Sequence, residues 1–396
     1  MPTYDEILQK KAKEWDCPHM MEQAKVDVRS KIPFSSPNMN YATYGGVPRN
    51  RFTHFYGAPG CGKSTSAVDI CKNAIKIFDG EFEEKMLELR SSSSKSAASE
   101  LADLEDSGPK KILYVDLEHG FDRKWAETIG MDMDRIDVMQ PPDIPAEDLL
   151  QAIEDLIKTG SVGLLVIDSI PSLVTRDELE KKLTEKTKMA TTATVMTLVM
   201  RKWVALLTRY GCTCILINQI RDNMNNPYSV NTPGGKAVKF YSSLMIEFQL
   251  GSPVDFLGTE LPMRTEDPAG YIVNARITKQ KTAPNDRRNG TYYLMCKSGI
   301  RPDFDYALLA LNKYGIIKKS GAWFSFIDPE TGELLSEADP AHPGKTKPTK
   351  VNGMVKVYDF LESNQEYYGK LKKYILDQMN GGPSDDDAGE EADEVL

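Results

Sequence analysis

With 396 residues, 40% of them hydrophobic and 27% charged, the chain has room for a large α/β core with smaller appendages and is too long for one small domain. No run approaches the ~18 apolar residues of a membrane span, and the start MPTYDEILQKKAKEW is too polar for a secretory signal, so no membrane partner and a cytoplasmic location are expected. The net charge of −9 argues against a polyanionic partner until it is apportioned: seven acids crowd SDDDAGEEADEVL, and without them 51 acidic residues face 49 basic ones, a balance of −2.

In chain order, residues 1–30 read as a charged helix, and KIPFSSPNMNYATYGGVPRN reads as an irregular connection rich in Pro, Gly, Ser and Asn. RFTHFY is a short β-rich run ending at a glycine, and KSTSAVDICKNAIKIF carries a helical stripe at Ala67, Ile70, Cys71, Ala74 and Ile77. Between them lies FYGAPGCGKST, which fits Gly57-x-x-x-x-Gly62-Lys63-Ser64. A loop of this kind, set between strand and helix, wraps phosphates in backbone N–H groups while a lysine reaches the β/γ oxygens and a hydroxyl holds Mg²⁺. Gly57, Ala58, Pro59, Gly60, Cys61, Gly62, Lys63, Ser64 and Thr65 are therefore expected to hold a nucleoside triphosphate, with Ser64 on the metal.

From Gly80 to Pro109 a four-serine run and many charges predict an inserted surface excursion, part helix and part flexible. KKILYVDLEHG, VGLLVIDSIPSL and CTCILINQI then read as strands, followed by YSSLMIEFQL, YIVNARIT and TYYLMC. Continuous apolar runs alternating with helices predict a parallel sheet covered on both faces, and the polar residues that follow three of the runs, Glu118, Asp168 and Gln219, would meet at its carboxyl edge. Asp168 suits the carboxylate that reaches Mg²⁺ through water, although an aspartate here also caps helices. Glu118 suits a general base for the attacking water or a structural salt bridge. Gln219 suits a γ-phosphate sensor or a plain strand end. Six cysteines, at 17, 61, 71, 212, 214 and 296, show no CxxC pair and suit a reducing compartment, and Cys61, Cys212 and Cys214 read as packing residues. The four histidines are too scattered for a metal site.

The stretch INQIRDNMNNPYSVNTPGGKAVKFYSSL resembles the RecA-type recombinases, in which Asn-Gln-Ile-Arg leads into a DNA-binding loop that returns through Gly-Gly and Lys-Phe-Tyr. The phosphate loop, VDLEHGFDRKWAETIGMD, VIDSIPSLV, ARITKQKTAP and YGIIKKSGAWFSF agree with it in order and spacing. The resemblance implies a RecA-like P-loop ATPase core with a mostly parallel central sheet flanked by helices, plus small N-terminal and C-terminal domains. Its boundaries would be 1–35 for an oligomerisation helix and linker, 36–300 for the core with the insertion at 80–109, 301–383 for a C-terminal α/β domain and 384–396 for a disordered acidic tail.

The resemblance further implies ATP and Mg²⁺ as cofactors, with Lys63 and Ser64 as phosphate and metal contacts, Glu118 as base, Asp168 on the metal through water and Gln219 coupling the γ-phosphate to DNA. Asp122 and Trp125 would contact adenine, and Lys279 and Lys281 would reach a neighbouring subunit's ATP. Met189 and Arg201 around a first loop, and Arg221, Gly234, Gly235 and Lys236 around a second, would bind DNA. Met224 or Tyr228 would be the wedge between bases, in a second loop that is shorter than the bacterial one and lacks the phenylalanine tip found there. Lys370, Lys372 and Lys373 would form a duplex-capturing patch, and the acidic tail would screen it. The implied activity is ATP-dependent homologous pairing and strand exchange by helical filaments on single-stranded DNA, with duplex DNA, other copies of the chain, single-strand-binding proteins and loaders as partners. A ring-forming replicative helicase and a non-catalytic ATP-binding mediator are the alternatives. The serine-rich insertion and the Ala-Pro-Gly-Cys loop interior depart from the bacterial pattern, and KIPFSSPNMNYATYGG is more similar to phage relatives such as UvsX recombinases, which together would place the protein in a host cytosol.

Overall fold

Apolar residues fill the central strands without polar alternation because helices cover both faces of the sheet: every residue of Phe52–Gly57 and of Val162–Asp168 is buried. A computed structural model describes residues 30–92, 94–181, 191–220, 233–338 and 345–379, with a few isolated positions nearer the N-terminus. The helix expected over 1–30, apart from those positions, and the acidic tail lie outside the described residues.

Two short strands, β1 (Lys31–Ile32) and β2 (Val47–Pro48), pair antiparallel ahead of the core. The central sheet contains β3 (Phe52–Gly57), β4 (Lys111–Asp116), β5 (Ile136–Met139), β6 (Val162–Asp168), β7 (Thr213–Gln219), β8 (Leu244–Val254), β9 (Gly270–Gln280), β10 (Asn289–Met295) and β11 (Gly299–Ile300). Their order is β11-β10-β9-β8-β3-β7-β6-β4-β5. From β8 to β5 all pairings are parallel, whereas β9, β10 and β11 add an antiparallel wing.

Successive side chains of a strand face opposite sides, and the core divides accordingly. Ile112 and Tyr114 join Leu164, Val166, Ile215 and Ile217 beneath the helix Lys63–Ser91, whose Ile70, Cys71 and Ala74 face them. Leu113 and Val115 join Leu165, Ile167, Cys214 and Leu216 on the other side. That side is covered by Ala146–Lys158 through Leu149, Leu150 and Ile153, and by Thr191–Tyr210 through Met196, Met200 and Trp203.

Between Gly80 and Pro109, expected as a surface excursion part helix and part flexible, the phosphate-loop helix continues to Ser91, 29 residues in all, and a second helix, Lys95–Ser107, packs against it. Ser94 caps the second helix, its Oγ accepting the Ala97 N–H at 3.1 Å, while Met86, Leu89 and Ala97 are buried. Arg90 pairs with Glu105 across the hairpin at 3.1 Å.

Beyond the wing, the helices Pro302–Asn312, Met354–Ser363 and Gln365–Met379 enclose a third apolar cluster with β12 (Ile317–Ser320) and β13 (Trp323–Phe326). Phe304, Phe326, Leu361 and Leu371 lie at its centre, and Val254 and Met295 join it to the central sheet. Two further strands, β14 (Ser336–Ala338) and β15 (Thr346–Pro348), pair with each other, and β16 (Lys350–Asn352) pairs with β13. Among the described residues no helix is long and apolar enough to cross a membrane.

Candidate functional site

Parallel register brings the carboxyl ends of four strands together. Asp116 of β4 stands opposite Asp168 of β6, and Gly57 of β3 stands opposite Gln219 of β7. The loop after β3 is tight: a Cβ on Gly57 would lie 2.3 Å from the Phe248 carbonyl oxygen, and Gly60 and Gly62 have φ of +72° and +89°, where side-chain-bearing residues are strained. Cys61 is buried within this loop. The Lys63 ammonium donates to the carbonyls of Gly57 at 3.1 Å and Ala58 at 2.7 Å.

Ser64 Oγ donates to Asp168 Oδ2 at 2.7 Å, and the Tyr114 hydroxyl donates to the same oxygen at 2.7 Å. Burial pushes the Asp168 carboxyl above its usual value against these two donors. Glu118, exposed two residues beyond β4, accepts from Ser169 Oγ and, at 2.8 Å, from Gln219 Nε2. The buried Asp116 shapes the turn that carries Glu118, accepting from Gly120 N at 3.2 Å, Phe121 N at 2.8 Å and Gln140 Nε2 at 2.8 Å.

The residues present suit a triphosphate with a hard divalent cation. The glycine cradle has no space for a Cβ at Gly57, Lys63 supplies an ammonium, and the Ser64–Asp168 pair supplies oxygen donors. Asp122 begins the helix Arg123–Thr128, its Oδ1 accepting the Trp125 N–H at 3.0 Å, and Trp125 packs half-buried against the core.

Lys279 and Lys281 stand apart from this cluster, at the end of β9 and across β8 from the phosphate-loop strand. Both ammonium groups donate at 2.9 Å to the Phe240 carbonyl, at the end of the helix Gly235–Tyr241. Burial and the neighbouring Lys281 push Lys279 down to about 8. A cavity of about 570 Å³ opens here, lined by Tyr56, Lys236, Lys239, Phe240, Thr278 and Lys279, and Phe240 is 68% exposed. Gly234 and Gly235 open the same helix with positive φ, and a Cβ on Gly235 would lie 3.0 Å from Ala193. Arg201 and Lys236 are exposed. Met189, Arg221, Met224 and Tyr228 lie outside the described residues.

Sequence reasoning passed over Tyr114 and Asp116, which act through contacts with neighbouring elements. It also passed over Lys239 and Phe240, for which the Lys-Phe-Tyr run was the available signal.

A glycine loop between a buried strand and a helix, facing a serine–aspartate pair at the carboxyl edge of a parallel sheet, defines a phosphate-loop nucleotide-binding protein. A family model described as the RecA N-terminal domain matches residues 89–301, just over half of the chain, although the phosphate loop itself precedes that stretch. The chain is 29% identical over 367 residues to Protein RecA of Fusobacterium nucleatum, covering 92% of this chain and 80% of that one. It is 30% identical over 305 residues to Protein RecA of Ruminococcus albus, covering 76% and 66%, and 29% identical over 322 residues to that of Thermus aquaticus, covering 80% and 81%. The chain belongs to the RecA family.

Proposed function

We propose that the chain is an ATP-dependent homologous recombinase that assembles as a helical filament on single-stranded DNA and exchanges that strand with a matching duplex. The observation that carries this reading is Gln219. Its amide holds Glu118, and its backbone is the last of β7 before the stretch 221–232, the expected second DNA loop. One residue would thereby link the hydrolytic carboxylate to the approach to DNA.

Lys63, released from the Gly57 and Ala58 carbonyls, would neutralise the β/γ oxygens, and backbone N–H groups of the loop would hold the remaining charge. Ser64 and Asp168 would hold Mg²⁺, the aspartate through water, and the ion would supply positive charge to neutralise the phosphates. Glu118 would orient the attacking water and accept its proton, Gln219 setting whether the carboxylate is free to do so. Asp122 and Trp125 would bound the adenine site. Lys279 and Lys281, beside the exposed Phe240, would face the triphosphate of the next protomer, so that a complete site forms only on assembly. Head-to-tail contacts that do not close produce such filaments, with residues 1–35 as the adhesive element. Met189, Arg201, Arg221, Gly234 and Gly235 would line the DNA path, and residues 301–383 would form a second domain bearing Lys370, Lys372 and Lys373. The Ala-Pro-Gly-Cys loop and the serine-bearing hairpin support a phage-encoded member acting in its host's cytosol; genes flanking this one that do not encode virion or phage-replication proteins would count against that origin.

The test is ATP turnover with and without homopolymeric single-stranded DNA across protein concentration. Stimulation that rises cooperatively with protein is the expected result. A rate indifferent to DNA and concentration removes the coupling and leaves a nucleotide-binding mediator. Closed rings in electron micrographs would instead select the helicase reading.

A further inference from the structure

Behind the phosphate loop, on the side away from solvent, the wing strand β10 presents a tyrosine. Tyr292 is 1% exposed, its hydroxyl lies 2.7 Å from Ser66 Oγ and donates to the Gly62 carbonyl at 3.4 Å. Ser66, also fully buried, lies one helical turn into the helix that the loop opens. Its backbone N–H donates to the same Gly62 carbonyl at 2.9 Å, so that carbonyl receives two donors from behind. The proton count closes without water: Ser66 Oγ donates to the phenol and the phenol donates to Gly62.

The Gly62 carbonyl belongs to the same peptide unit as the Lys63 N–H. In a trans peptide these two groups point in opposite directions, so anchoring the carbonyl at the back aims the Lys63 N–H forward into the loop's concavity. The φ of +89° at Gly62 requires glycine, and a Cβ there would lie 2.7 Å from the Tyr292 hydroxyl. The phenol therefore fills the space that a glycine leaves open at the junction of loop and helix. Burial pushes its ionisation far above the usual tyrosine range and keeps it a donor.

We infer that Tyr292 is a positioning residue of the phosphate site, its hydroxyl setting the peptide plane that directs the Lys63 N–H toward a bound phosphate. The inference rests on the phosphate-loop reading of residues 57–64 and adds to it a contribution from the antiparallel wing, which a phosphate-loop motif does not include. Misaligning one phosphate donor weakens nucleotide binding in ground state and transition state alike, so the loss appears in affinity and KM rather than in turnover at saturation.

The experiment compares Tyr292→Phe, Ser66→Ala and Lys63→Ala in the full-length protein. The readouts are titration with a fluorescent ATP analogue, steady-state ATP hydrolysis and thermal unfolding. Tyr292→Phe keeps the ring and removes the hydroxyl; affinity is expected to fall by about three- to tenfold, KM to rise in parallel and kcat to stay within about twofold. Ser66→Ala leaves the phenol on Gly62, so its affinity is expected to stay within about twofold even where its unfolding temperature drops as far as that of Tyr292→Phe. Wild-type affinity in Tyr292→Phe, or equal affinity losses in the two variants that follow their losses of stability, would overturn the inference. Undiminished binding by Lys63→Ala would instead overturn the phosphate-loop reading itself, and the two failures are thereby distinguished.

Discussion

Replacing Asp305 by asparagine is expected to stabilise the protein at neutral and alkaline pH while leaving acid stability almost unchanged. Asp305 sits on the helix Pro302–Asn312, 1% exposed, with Oδ2 hydrogen-bonded to Ser36 Oγ and Oδ1 without a partner among the described residues. Ser36 Oγ also lies 3.2 Å from the Thr291 carbonyl and accepts the Met39 N–H at 3.3 Å. A neutral Asp305 satisfies this arrangement, donating to Ser36 and leaving the serine proton for Thr291. Burial, the hydrogen bond to Ser36 and the charge of Asp303 together leave the carboxyl raised from 3.8 to about 8. Burial and Asp303 push upward and the Ser36 bond pulls back. The folded state thus holds a proton that the unfolded chain releases near pH 4, so this group's stabilisation is complete below that pH and is lost as pH rises to 8. Four powers of ten in proton affinity, at about 1.4 kcal/mol each, set a ceiling of about 6 kcal/mol. Urea unfolding of Asp305→Asn and wild type at pH 5 and pH 7.5 measures it; the variant's advantage should grow by about 3 kcal/mol between them. An advantage equal at the two pH values would refute the neutral-carboxyl argument.

The opposite dependence is expected at Glu154. Burial pushes its carboxyl up, yet hydrogen bonds from Lys202, Lys158 and Trp203 hold it at about 2. Its stabilisation is present above pH 4.5 and lost as pH falls toward 2, so Glu154→Gln should cost about 1–3 kcal/mol at pH 7 and flatten acid unfolding, as urea midpoints at pH 7 and 3.5 would record. Gly57→Ala should abolish binding of a fluorescent ATP analogue and lower stability by about 1–3 kcal/mol, because its Cβ would press on the Phe248 carbonyl that joins β3 to β8. Binding at wild-type affinity would mean that the loop does not need its tight approach to β8.

The phosphate loop and the strand ends were legible because each is a local pattern: an apolar run that stops at Asp168 or Gln219, and glycines where φ must be positive. In the insertion, composition read ahead of periodicity understated how much of it is helix. Serines and charges suggest flexibility, but Met86 and Leu89 are buried near the end of the first helix, and Ser94 caps a second helix on which Ala97 is buried. The bonds of Tyr114 to Asp168 and of Gln219 to Glu118 depend on strand order and register, which no single segment encodes. For Lys279 and Lys281 the resemblance supplied a role, and in the isolated chain both donate to the Phe240 carbonyl near the end of the helix Gly235–Tyr241.

The helix that starts at Lys63 would also act as a lever. At 1.5 Å per residue its 29 residues span about 43 Å, from the phosphate loop to the hairpin tip at Ser91. A rigid rod pivoting by about 5° at the loop would carry that tip through about 4 Å. Leu87, 68% exposed near the far end, sits where such a swing is largest, so rearrangements of a fraction of an ångström around Lys63 would be magnified into a displacement large enough for a neighbouring molecule to register.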